Sequence, residues 1–195
     1  EKDFSEKKKT WKFKTEPGKM VRDFGFATSR KFIVDMQAVK IGGRDVMAVS
    51  MYPKEGNPLW EEYSTKAVVQ TLKTYSKHTF DYPYHKAISV HAKNQGMEYP
   101  MITFNAPRPY DDGTYWDVTQ KDNSKSWSRS KYGLIAGIIH EVGHNYCPMI
   151  VNSDERQWTW MDEGINSFLQ YLAEQEWEED YPSRAGDPEK ITGYM

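Results

Sequence analysis

The run His-Glu-Val-Gly-His at residues 140–144 constrains this chain more than any other stretch, because its two histidines are four residues apart and would share one face of a helix. Apolar residues recur around it at helical spacing, at Ile135, Ile138, Ile139 and Val142. We therefore predict an amphipathic helix over residues 130–147. Pro148 is expected to end this helix, because a proline disfavours helical conformation in the residue before it.

On such a helix, His140 and His144 lie one turn apart on the same face, so both imidazoles can reach one metal ion. Glu141 is predicted to lie beside them as a general base rather than as a ligand. A catalytic zinc site uses three protein ligands and a water molecule. The pattern therefore predicts one Zn²⁺ per chain and a third donor from elsewhere in the fold.

Glu163 is the candidate for that third donor. A second helix is predicted over residues 160–172, with Thr159 or Asp162 as its N-cap. Its predicted buried stripe consists of Ile165, Phe168, Leu169 and Leu172. Glu163 lies off this stripe in the first turn, where it can reach the two histidines if the helices pack side by side. A first-turn acid is also favoured by the helix dipole alone, so its position leaves both interpretations open.

The spacing of these residues resembles the gluzincin zinc site of the aminopeptidase-N family, family M-one, with eighteen residues between His144 and Glu163. The stretch Gly-Met-Glu-Tyr-Pro at residues 96–100 is similar to that family's Gly-x-Met-Glu-Asn signature, with Tyr99 where the family has Asn. This variant resembles bacterial branches of the family. Residues 21–27 are similar to the opening of its thermolysin-like domain, so the resemblance covers nearly the whole chain.

The resemblance implies a zinc aminopeptidase. His140, His144 and Glu163 would hold the metal, and Glu141 would act as the base. Glu98 would bind the free amino group of a peptide, with Gly96 and Met97 beside it. The implied fold is α+β: a thermolysin-like domain with an N-terminal β-sheet, whose edge strand lines the substrate cleft, followed by the zinc-site helices.

The resemblance also sets expectations for the domains. Residues 1–19 are expected to be a linker, and residues 20–195 to be the catalytic domain, truncated at its C-terminal end. The family's flanking β-sandwich and C-terminal helical lobe would be missing partners from the same protein. Its oxyanion-stabilising tyrosine is expected beyond Met195, so this chain alone should be a poor catalyst.

The remaining pattern predicts the elements around the site. Strands over residues 32–39 and 46–52, joined by Gly42 and Gly43, are expected to form an antiparallel sheet. A helix is predicted over residues 59–77. Further strands are predicted over residues 86–91 and 101–104, and residues 107–125 are expected to border the cleft. The acidic run at residues 174–180 is interpreted as a solvated helix face. His78, His85 and His91 lack ligand spacing to one another and are interpreted as surface or structural histidines.

Composition narrows the function classes. The net charge is −2 at pH 7, and the pI is near 6.3, so we predict no nucleic-acid partner. No apolar run approaches the roughly 20 residues that span a bilayer, and the mean hydropathy is −0.83, which predicts a soluble protein. The compartment stays open, with periplasm or secretion possible for a longer protein. The single Cys147 excludes an internal disulfide.

Two other functions stay open. A thermolysin-type endopeptidase would need the same zinc site but no anchor for a free amino group, so Glu98 discriminates between the two peptidases. A non-catalytic peptide-binding relative is disfavoured by the presence of His140, Glu141, His144 and Glu163 together, because such relatives commonly lose a ligand or the base.

Overall fold

The computed structural model describes residues 10–14, 18–93, 96–116 and 126–184. Its five strands are β1 (Ile33–Ile41), β2 (Arg44–Tyr52), β3 (Lys86–His91), β4 (Met97–Tyr99) and β5 (Ile102–Asn105). Its three α-helices are α1 (Thr65–His78), α2 (Lys131–Gly143) and α3 (Glu163–Trp177). In the predicted linker and the predicted border of the cleft, residues 1–9, 15–17 and 117–125 lie outside the described residues.

The strands form one mixed sheet in the order β1-β2-β3-β5-β4. The antiparallel prediction is confirmed for β1 and β2, which meet at the turn of Gly42 and Gly43 with φ of 53° and 76°. It does not extend to β3 and β5, because β2–β3 and β3–β5 are parallel pairs. Helix α1 supplies the long crossover that a parallel neighbour of β2 requires. Strand β4 pairs antiparallel with β5 and forms the edge of the sheet.

Helices α1 and α2 pack against the sheet, and α3 packs against α1 and α2. The predicted apolar stripe of α2 is confirmed, since Ile135, Ile138, Ile139 and Val142 are fully buried. They share one core with alternate residues of β2 and with Leu72 of α1. Burying each such aliphatic side chain stabilises the fold by about 1.5–3 kcal/mol. The core therefore holds α2 firmly in position.

Helix α2 ends at Gly143, four residues before the predicted end. The side-chain amide of Asn145 donates to the carbonyl of Val142, and its backbone N–H donates to the same carbonyl. A side chain that occupies the last carbonyl groups in this way competes with continued helix. Residues 144–150, which include Pro148, consequently form turns, so the helix ends before the proline rather than at it.

Helix α3 differs most from the prediction. It begins after a 3-10 turn at Thr159–Met161 and continues to Trp177, five residues beyond the predicted end. Ile165 and Phe168 of the predicted buried stripe are 38% and 50% exposed. Glu174, predicted to be solvated, is fully buried. The face of α3 that meets α2 carries polar side chains, because Asn166 and Gln170 contact His140 there.

No helix within the described residues is long and apolar enough to cross a membrane.

Candidate metal centre

Three predicted ligands meet where α2 ends and α3 begins. The Nε2 atoms of His140 and His144 are 3.1 Å apart. Oε2 of Glu163 lies 3.3 Å from Nε2 of His140 and 3.6 Å from Nε2 of His144. Among the residues that the structure describes, this is the one group of three or more histidines, cysteines and acids placed to hold a metal ion.

The spacing of the three donor atoms suits a tetrahedral zinc ion. Zinc bonds to histidine nitrogen and carboxylate oxygen are about 2.0–2.2 Å long, which puts neighbouring donors of a tetrahedron about 3.3–3.6 Å apart. The three distances in this site lie at or close to that range. Two imidazoles and one carboxylate are also a ligand set of catalytic zinc sites, which keep a fourth position for water.

The helices approach closely because residue 143 has no side chain. A Cβ atom at Gly143 would lie 2.3 Å from both Oδ1 of Asn166 and the hydroxyl oxygen of Tyr75. Tyr75 of α1 donates to Oδ1 of Asn166 over 2.8 Å, and Asn166 donates to the carbonyl of His140 over 2.9 Å. This chain of hydrogen bonds ties all three helices together beside the ligands.

Asp162 is a residue of the site whose role the sequence did not indicate. It occupies the predicted N-cap position of α3, but its side chain makes no capping hydrogen bond. Its Oδ1 lies 2.8 Å from Nδ1 of His144, whose side chain is 1% exposed. The carbonyl of Cys147 lies 3.1 Å from the same Nδ1 and accepts its hydrogen bond, and the carboxylate of Asp162 adds an ion-pair contact that helps to orient the ligating imidazole. Its position immediately before the candidate ligand Glu163 was the feature of the sequence that could have indicated this role.

The two carboxylates also change the protonation of His144. Burial alone would lower the pKa of His144, but the carboxylates of Asp162 and Glu163 outweigh burial and raise this pKa to about 10. The hydrogen bonds from His140 and His144 lower the pKa of Glu163 far below its usual range. Burial alone would also lower the pKa of His140, but the hydrogen bond to Glu163 outweighs it and raises this pKa.

Glu141 lies beside the ligands without joining them. Burial raises its pKa to about 7; the two histidines oppose the rise, and the charges of Glu98 and Glu163 add to it. Its carboxylate is packed so closely under the backbone of Gly96 that a Cβ atom there would lie 2.6 Å from Oε1. A carboxylate with a pKa near neutrality is well matched to accept and return a proton.

Met97 and Glu98 lie on the edge strand β4, where Glu98 pairs with Thr103 of β5. Glu98 is near enough to the centre that its charge raises the pKa of both Glu141 and His144. An edge strand can also bind an extended peptide through its backbone. The structure thus places a carboxylate and the backbone of an edge strand along one side of the centre.

The other histidines are apart from this group. His78 contacts Glu176 at 3.2 Å, and His91 packs edge-on against Trp60. Burial lowers the pKa of His91 and also that of His85. None of the three belongs to the metal-holding group, as the sequence indicated.

Comparison with known proteins identifies the fold. No model of a protein family matches this chain, and no curated protein sequence does. The structure is similar to that of an M1 zinc metallopeptidase from Deinococcus radiodurans, with a TM-score of 0.51 and 15% sequence identity over 76% of this chain and 29% of that one.

It is also similar to aminopeptidase A of Legionella pneumophila in complex with aspartic acid, with a TM-score of 0.55 and 10% identity over 74% of this chain and 16% of that one. The chain thus spans less than a third of the length of either protein. The mixed α+β fold is that of a domain found in M1 zinc metallopeptidases.

Proposed function

We propose that this chain carries the catalytic centre of a zinc-dependent aminopeptidase. His140, His144 and Glu163 are the proposed ligands and Glu141 the proposed general base. The observation that carries the proposal is the tetrahedral spacing of the three donor atoms. The similar fold of zinc metallopeptidases supports it. Residues 20–195 are proposed as part of the catalytic domain.

Each residue has a distinct part in peptide hydrolysis. A bound zinc ion would polarise the scissile carbonyl group and make the attacking water more acidic. Glu141 takes the proton of that water and returns it to the leaving amine. Its proximity to Gly96 keeps the carboxylate at the end of β4, along which the peptide backbone would bind. Asp162 and the carbonyl of Cys147 together keep the imidazole of His144 in one orientation.

The amino-terminal specificity depends on Glu98. The half-buried carboxylate of Glu98 would bind the α-ammonium group of a peptide and so place the first peptide bond at Glu141. An endopeptidase has no use for such a partner. Glu98 therefore separates the aminopeptidase from the endopeptidase.

Metal analysis tests the ligands. We expect one equivalent of zinc in the purified protein and its loss in His140→Ala, His144→Ala and Glu163→Ala, because each variant lacks one of three donors. His78→Ala is the matched control, since His78 lies outside the group. Stoichiometric zinc that persists in His144→Ala would refute the ligand assignment.

An assay with free and N-acetylated peptides tests the specificity. Glu98→Ala should lower the preference for the free peptide by roughly tenfold or more, since hydrogen bonds to charged groups contribute about 1.5–3 kcal/mol. Glu61→Ala, an exposed acid that binds Asn57, is the control. An equal loss on both peptides would indicate an endopeptidase or a structural Glu98.

Downstream of Glu163, the described residues include two tyrosines, and neither is proposed as the donor that stabilises the oxyanion. Tyr171 lies on α3 itself, and the buried hydroxyl of Tyr181 donates to the carbonyl of Tyr132 over 2.7 Å. Tyr194 lies outside the described part of the chain. Losing one such donor typically lowers the rate about 10²–10³-fold, so we expect slow turnover from this chain.

A further inference from the structure

The inner face of α3 carries two polar side chains that lie behind His140 rather than among the ligands. Gln170 is 6% exposed, and Glu174 is fully buried one turn further along the helix. Oε1 of Gln170 lies 3.0 Å from Nδ1 of His140, and its Nε2 donates to Oε1 of Glu174 over 2.7 Å. Burying a carboxylate and an amide costs free energy unless both are hydrogen-bonded, which suggests that these two side chains have a function at this position.

The carboxylate determines which way the amide points. An amide group has one accepting and one donating end, whereas an ionised carboxylate only accepts. Because Glu174 accepts, the NH₂ group of Gln170 has to face Glu174 and its carbonyl oxygen has to face His140. Nδ1 of His140 must then carry the proton, which leaves the lone pair on Nε2. Nε2 is the nitrogen that lies 3.3 Å from Glu163.

No other neighbour among the described residues accepts from Nδ1 of His140. Asn166 lies 3.4 Å away, but it presents its amide nitrogen there, and the same group donates to the carbonyl of His140. Its oxygen already accepts from Tyr75. The orientation of His140 therefore depends on Gln170.

We propose that Gln170 and Glu174 are positioning residues, which act as a relay that holds His140 in its metal-binding tautomer. The inference rests on the proposed zinc site and adds two residues to it. The two ligating histidines are then supported differently. His144 faces the carboxylate of Asp162 directly, whereas the neutral amide of Gln170 stands between His140 and its carboxylate.

Zinc affinity, measured by competition with a chelator, tests the relay. Gln170→Met removes the acceptor while keeping a side chain of similar length, and should weaken zinc binding about 10–100-fold, as loss of an outer partner of a ligand does. Glu174→Gln should have a smaller effect, because an amide can still accept from Gln170 but no longer enforces its orientation.

Gln157→Met is the matched control, since Gln157 is the same residue type and is exposed in the turn before α3. Its zinc affinity should equal that of the wild type. Nuclear magnetic resonance of the zinc-loaded protein supplies a second readout, because the Nδ1 proton of His140 should exchange with water faster in Gln170→Met than in Gln157→Met.

An exchange of the two residues separates positioning from packing. Gln170→Glu alone places two buried carboxylates side by side and should weaken binding. Gln170→Glu combined with Glu174→Gln restores an acceptor at His140 and a donor behind it with the same total charge, so it should recover most of the wild-type affinity. If Gln170→Met fails to fold, the recovery in this double variant still decides.

The outcomes distinguish the two proposals. A wild-type protein that binds no stoichiometric zinc would refute the proposed function. Wild-type zinc binding that is unchanged in Gln170→Met, with the same exchange of the His140 proton, would refute the relay alone. A double variant no tighter than Gln170→Glu would also refute the relay.

Discussion

Helices α2 and α3 pack against each other and contribute ligands to the same site, yet their buried faces are opposite in character. The buried side chains of α2 are almost entirely apolar, with Leu134, Ile135, Ile138, Ile139 and Val142 at zero exposure. On α3 the buried face includes Asn166, Gln170 and Glu174, while Ile165 and Phe168 face outward. Hydrophobic periodicity therefore located the buried face of α2 correctly, whereas on α3 only Leu169 and Leu172 of the predicted stripe lie in or against the core.

The difference follows from what each face contacts. Helix α2 turns its stripe toward the sheet and the core, where apolar area is removed from water. Helix α3 turns its inner face toward Tyr75 and His140, whose polar atoms need partners once they are buried. Buried polar groups are nearly always hydrogen-bonded, so a face that serves a site can be polar and buried together.

The largest expected effect is on turnover and comes from replacing Glu141 of α2. Glu141→Gln should lower turnover about 10²–10⁴-fold, the usual contribution of a general base, while zinc stays bound because Glu141 is not a ligand. Glu176→Gln on α3, whose carboxylate contacts Lys77, is the same change away from the site and should leave turnover intact. Loss of zinc in Glu141→Gln would instead make this residue part of the metal-binding set.

The stability of matched truncations tests the comparison itself. Ile138→Ala on α2 should lower the free energy of unfolding by about 2–5 kcal/mol, because it leaves a cavity in the core. Phe168→Ala on α3 should lower it by about 1 kcal/mol or less, since half of that ring is already exposed. Denaturant titration measures both. Equal losses would mean that α3 buries its apolar stripe after all.

Asp162→Asn tests how far α3 supports the ligands on α2. We expect zinc affinity to fall about tenfold, near the low end for an outer partner, because the carbonyl of Cys147 at 3.1 Å still accepts from Nδ1 of His144. Asp154→Asn, an exposed acid in the preceding turn, is the control. An unchanged affinity in Asp162→Asn would show that Cys147 alone orients the imidazole.

The pH dependence of zinc binding tests the ion pairs that α3 makes with His144. The pKa of His144 is raised to about 10, so this imidazole is protonated below that pH and zinc has to displace the proton. Affinity should therefore rise with pH between 6 and 8, by up to about tenfold per pH unit for each proton displaced. Chelator competition at several pH values measures the slope. A flat profile would contradict protonation of His144.

The sequence alone determined the parts that depend on local spacing. The i, i+4 histidines, the glutamate between them and the apolar stripe of α2 are all consequences of helical geometry. The hairpin at Gly42 and Gly43 is equally local, because the turn needs positive φ. Glu163 could be proposed because a zinc site needs a third donor, but its first-turn position also suited a plain helix end.

Only the tertiary structure decided what covers each face. Asp162 faces His144 rather than capping α3, and Gln170 lies against a histidine thirty residues earlier in the chain. Periodicity states which residues share a helix face, but burial of that face depends on what packs there. The close crossing at Gly143, where Tyr75 and Asn166 leave no space for a side chain, brings those distant groups together.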